Sequence, residues 1–65
     1  MNANDAELND IVGWSNHDDE PEIRGRIVDL NRDYGSITAA YTTASGRGMS
    51  CMAPASTFRF IMRGI

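Results

Sequence analysis

The residues of this chain best suited to chemistry are its arginines. It has six basic residues, and all are arginine: Arg24, Arg26, Arg32, Arg47, Arg59 and Arg63. A guanidinium is a planar fork that meets phosphate or carboxylate oxygens in pairs. Arg24 and Arg26 stand two residues apart, the spacing that puts side chains on one face of a strand. Arg59 and Arg63 also share a parity, while Arg32 and Arg47 fall in turn-like sequence. Tyr34 supplies a ring on which a base can stack. Arg24, Arg26, Arg32, Tyr34, Arg47 and Arg59 therefore form the candidate nucleic-acid-binding set. The plainer reading is a solvated basic surface, with arginine as the cation a GC-rich genome writes.

Other chemistries lack their parts. General acid–base catalysis needs a positioned pair, and nucleophilic catalysis needs a nucleophile beside a base. His17 is the only histidine and stands in SNHDDE, a charged linker-like run. Cys51 is the only cysteine and lies within an apolar strand pattern, so no internal disulfide can form. Gly46-Arg47-Gly48 is too short for a phosphate-cradling loop. Met49, Cys51 and Met52 are soft donors of the kind that hold Cu(I). Alternation puts Met52 on the opposite face from the other two, and all three residues are ordinary core fillers. The expectation is a non-enzymatic protein with no metal and no cofactor.

The net charge of −3 conceals two unlike segments. Met1 to Glu22 holds seven acidic residues and no basic one, whereas the remainder sets six arginines against Asp29 and Asp33. An acidic segment near the arginines would repel phosphate. This layout carries the alternative function, an acidic regulator that occupies a partner's basic or RNA-binding surface, in the manner of small phage- or plasmid-encoded inhibitors. Its contacts would be Leu8, Ile11 and Trp14 with the acids Asp18, Asp19 and Glu20. No apolar run approaches the roughly 20 residues of a membrane span. The acidic MNANDAELND start does not read as a secretory signal. A cytoplasmic protein is expected.

A chain of 65 residues makes at most one small domain, and such domains are marginal alone. Residues 1–21 read as an acidic arm and residues 22–65 as a β-barrel domain. In the arm, Asn4 and Glu7 resemble a capping box. Leu8, Ile11 and Val12 fall at i, i+3 and i+4, which predicts a short helix over 4–12, with Gly13 ending it. Residues 15–21 read as a linker. Four strands follow. The first, Glu22 to Leu30, alternates through Ile23, Gly25 and Ile27 and then slips phase to Val28 and Leu30, which requires a bulge or bend near Ile27–Val28. Asn31-Arg32-Asp33 is a turn. The second strand runs from Tyr34 to Thr42, with Ile37, Ala39 and Tyr41 on one face. The third is Gly48 to Ala53. After a 3₁₀ turn at Pro54-Ala55-Ser56 the fourth runs from Thr57 to Arg63, with Phe58, Phe60 and Met62 inward. The fold class is mainly β, a small SH3-like or Sm-like barrel of about four antiparallel strands behind one short helix.

Two segments carry a family resemblance. RGRIVDLNRDYGSI, Arg24 to Ile37, is similar to the first motif of the Sm-like proteins, the Lsm and Hfq group: Gly25, Ile27 and Leu30 match without a gap, and Asn31 replaces the usual acid. MSCMAPASTF, Met49 to Phe58, is similar to the stretch where a strand of that family ends, turns through Ser-Thr and begins the last strand. The resemblance implies a small barrel, RNA or single-stranded nucleic acid as partner, and assembly into a homo-oligomer. The family's Tyr-Lys-His set for uridine-rich RNA is not carried over, because Cys51, Met52 and Ala53 stand there. The family also places a strand before the glycine strand, for which this sequence offers at most a stub at Gly13–Ser15. The cold-shock OB fold is the runner-up. GRIVDLN and YGSIT are similar to its first strands across a two-residue gap, with only Tyr34 left of its stacking residues.

Overall fold

The structure, a computed structural model, describes residues 1–64. Ile65, the final position of the predicted 22–65 domain, lies outside the described residues. The chain forms five strands: β1 (Ile11–Trp14), β2 (Ile23–Asn31), β3 (Ser36–Thr42), β4 (Gly48–Pro54) and β5 (Arg59–Met62). All pair antiparallel in one open sheet, in the order β4-β3-β2-β1-β5. Short 3₁₀ turns occupy Ala3–Asp5 and Ala55–Thr57. No helix among the described residues is long and apolar enough to cross a membrane.

The predicted helix over 4–12 is absent, and the strand count rises from about four to five. Asn2 accepts a bond from the Asn4 N–H and starts a single 3₁₀ turn instead. Asn9 has φ 73°, a left-handed conformation that a continuing helix cannot contain. Ile11-Val12-Gly13-Trp14 then pairs on both sides, with Arg26 to Ile23 of β2 and with Met62 to Arg59 of β5. A helix this short is not stable alone in water. Two hydrogen-bonded neighbours and a β-favouring Ile-Val-Trp content outweigh its caps. Residues 1–21 are therefore not a separate arm: β1 lies inside the sheet, and Ala3, Ala6, Val12 and Trp14 belong to the core.

Strand β2 contains the predicted irregularity. Ile27 pairs with Ala39 and Asp29 with Thr38, so Val28 is the extra residue of a bulge and turns outward. The core face takes Ile27 from β2, Ile37 and Ala39 from β3, and Val12 and Trp14 from β1. Trp14 is only 4% exposed. Its ring meets Tyr41 and Phe58 edge-on, each at 5.3 Å between centroids, a preferred geometry for aromatic pairs. Burying side chains of this size contributes about 1.5–3 kcal/mol apiece.

The fourth predicted strand is shorter than expected and less buried. Phe58 enters the core from the end of the 3₁₀ turn, but Phe60 and Met62 are exposed. The β1–β5 register skips Ile61, so Met62 pairs with Ile11 in the outer-face row, while Phe60 stands beside Val12 on an edge strand.

Candidate nucleic-acid interface

The sheet's second face, opposite the core, carries much of the predicted arginine set. The pairing places Ile11, Arg26, Ala40 and Ser50 in one row across β1 to β4. The neighbouring row brings Arg24 of β2, Gly13 of β1 and Arg59 of β5 side by side. Together with Thr42 and Gly48, the small residues Ala40 and Ser50 leave an open groove of about 820 Å³ beside Arg24 and Arg26. Ile11, Val28, Tyr41 and Met49 also line the groove, and Arg24 and Arg26 stand on its β2 side. Arg47 lies in the hairpin loop between β3 and β4, at the sheet end where β2 and β5 begin. There its backbone N–H donates to Thr43 Oγ1 at 3.1 Å.

The other two predicted residues lie elsewhere. Arg32 and Tyr34 belong to the β2–β3 turn at the opposite end. Arg32 Nη2 donates to the Ala6 carbonyl at 2.8 Å, fastening the turn to the N-terminal segment. Tyr34 is 87% exposed. The six residues thus divide into a group on one face, Arg24, Arg26 and Arg59 with Arg47 at its margin, and a distant pair.

Glu22 joins this site, and nothing local in the sequence marked it for that role. It immediately precedes β2, and its side chain crosses β1 over Gly13. A Cβ on Gly13 would stand 2.5 Å from the Glu22 carboxyl carbon, so glycine is what admits the carboxylate. Arg59 grips it with two bonds, Nε to Oε2 at 3.0 Å and Nη2 to Oε1 at 2.7 Å. Arg24 Nε approaches Oε1 at 3.8 Å. The Arg59 hydrogen bonds hold the Glu22 carboxyl below its ordinary 4.5, helped by the charges of Arg59 and Arg24 against a desolvation that acts the other way. The same hydrogen bonds raise the Arg59 guanidinium above its ordinary value.

The remaining arginine, Arg63, has a structural role. Asp10 is fully buried, and its carboxylate accepts from the Glu7 N–H at 3.0 Å, from Arg63 Nη1 at 3.0 Å and from the Gly64 N–H at 3.3 Å. Arg63 also reaches Glu7 at 3.0 Å and lies over the Phe60 ring. Arg63 is thus committed to joining the N-terminal segment to the end of β5.

The residues of the alternative protein-binding set are dispersed. Leu8 is exposed, Ile11 half-buried and Trp14 buried in the core, so Trp14 presents nothing to a partner. Asp18, Asp19 and Glu20 are exposed in the β1–β2 connection, as is His17. That connection opens at the same sheet end as Arg24 and Arg59. Among the described residues no three His, Cys, Asp or Glu side chains converge on a metal-sized site.

No family model matches the chain, and no curated protein or solved structure matches it.

Proposed function

We propose that this chain is a small non-enzymatic regulator that binds RNA, or other single-stranded nucleic acid, on the outer face of an Sm-like barrel. The observation that carries the reading is the open groove beside Arg24 and Arg26, lined also by Ala40, Tyr41, Thr42 and Ser50. Arginines along an open groove suit a phosphate backbone, which supplies most of the affinity in sequence-tolerant binding, and a lining tyrosine suits a base. Strand order supports the barrel. Strands β4 and β5 are the two edges of the sheet, yet only residues 55–58 join them. The five Cα steps from Pro54 to Arg59 reach at most about 18 Å, and the 3₁₀ turn at Ala55–Thr57 shortens that span. Four interstrand steps in a flat sheet need about 19 Å. A rolled sheet shortens that path, and the bulge at Val28 supplies a bend that suits it.

The test is titration of labelled single-stranded RNA and DNA at low and moderate salt. We expect salt-sensitive binding that is lost when Arg24→Ala and Arg26→Ala are combined. No binding by the wild type at low salt would overturn the reading and leave the exposed acids Asp18, Asp19 and Glu20 as the better surface, directed at a basic protein partner. Sedimentation under the same conditions reports whether the barrel is a monomer or the homo-oligomer that the resemblance implies.

A further inference from the structure

We infer that the seat over Gly13, between Arg59 and Arg24, is a phosphate subsite that the chain keeps filled with its own carboxylate, Glu22. The inference rests on the nucleic-acid reading and adds a built-in competitor to it.

Three observations support it. The first is geometric. Arg59 meets Glu22 through two parallel N–H donors, the arrangement that a guanidinium offers equally to two phosphate oxygens. The second is steric. The anion lies against bare backbone at Gly13, where any side chain would collide with it. The third is positional. Arg24 borders both this seat and the groove, and Arg26 is next along β2 on the same face. A strand backbone lying in the groove would bring its next phosphate to the seat.

The internal anion is also built to leave. Glu22 stands outside the β2 ladder, at the end of the connection from β1. Its partners Arg59 and Arg24 have side chains 62% and 67% exposed, so water already screens the pair. A polyanion can engage Arg59, Arg24 and Arg26 together, whereas one carboxylate cannot span all three. Arg26 has no ion-pair partner among the described residues. Glu22 therefore lowers affinity for lone anions and weakly bound strands more than for a strand that fills the groove.

The experiment compares single-stranded RNA binding by the wild type, Glu22→Gln, Glu20→Gln, Arg59→Gln and the Glu22→Gln/Arg59→Gln pair. Glu20 is the control: the same charge is removed from the same connection, and its side chain forms no ion pair among the described residues. At low salt Glu22→Gln should bind roughly two- to fivefold more tightly, the scale of an exposed ion pair released. Glu20→Gln should gain distinctly less. In the Arg59→Gln background the Glu22→Gln gain should fall to the Glu20→Gln level, since Glu22 and Arg59 act as a unit. If RNA binds the wild type but Glu22→Gln matches either the wild type or Glu20→Gln, the subsite is overturned and the nucleic-acid reading stands. A gain above the Glu20→Gln level that persists without Arg59 also overturns it. If neither the wild type nor Glu22→Gln binds RNA, both fall together.

Discussion

Glu22 couples the folded state to pH through its contact with Arg59. Its carboxyl titrates below the ordinary 4.5 when folded, because Arg59 hydrogen-bonds the ionised form. A depressed carboxylate contributes stability above its unfolded pKa, and that contribution is lost as pH falls through the folded value. The melting temperature of the wild type should therefore exceed that of Glu22→Gln by a small, constant amount above about pH 5. The gap should close below pH 4.5, which thermal unfolding across pH 3–7 would show. A gap independent of pH would exclude the ion pair as its source. None of this pairing was legible in the sequence. Glu22 and Arg59 are separated by 37 positions, and a single sequence does not show which acid crosses which strand. For the same reason Arg32 and Arg63 looked as free as Arg26, although one holds the Ala6 carbonyl and the other Asp10.

Strands were legible where alternation and turn residues agreed. The bulge at Val28 could be read from the apolar phase alone, because Ile23 and Ile27 share a parity that Leu30 does not. Strand β1 could not. Leu8, Ile11 and Val12 happen to satisfy helical spacing, and a four-residue central strand carries too few positions to outvote them. The inward placing of Phe60 failed for a related reason. Phe60 pairs with the buried Val12, yet it remains exposed because β5 has no strand beyond it. Gly25 is the element-level test of the packing. A Cβ there would stand 2.6 Å from the Ala40 carbonyl oxygen and 2.9 Å from the Trp14 ring. Neither neighbour can yield cheaply, one being backbone and the other a core indole. Gly25→Ala should cost about 1–3 kcal/mol by chemical denaturation. An unchanged midpoint would mean that β2 and β3 are not held as closely as described.

At the scale of the molecule, Asp10 fastens the segment before β1 to the segment after β5. Its buried carboxylate satisfies two backbone N–H groups and one guanidinium. Asp10→Ala would leave the Glu7 and Gly64 N–H groups without that acceptor, while Arg63 keeps Glu7, and should lower stability by about 1–3 kcal/mol, measured by urea unfolding, with far-UV circular dichroism to confirm that the variant folds. A loss below about 1 kcal/mol would show that the clasp is not needed. Charge asymmetry along the chain was legible from composition, but its arrangement in space was not. Composition alone places the acidic residues in an arm apart from the arginines. The sheet instead opens the β1–β2 connection at the end where Arg24 and Arg59 stand. Strand β1 has one more consequence, for the order of events during folding. One of its edges pairs with β2, which follows closely in the chain, but the other waits for β5: Val12 meets Phe60 across 48 positions. The ladder on that far side closes a long loop, and non-local pairing of this kind forms slowly.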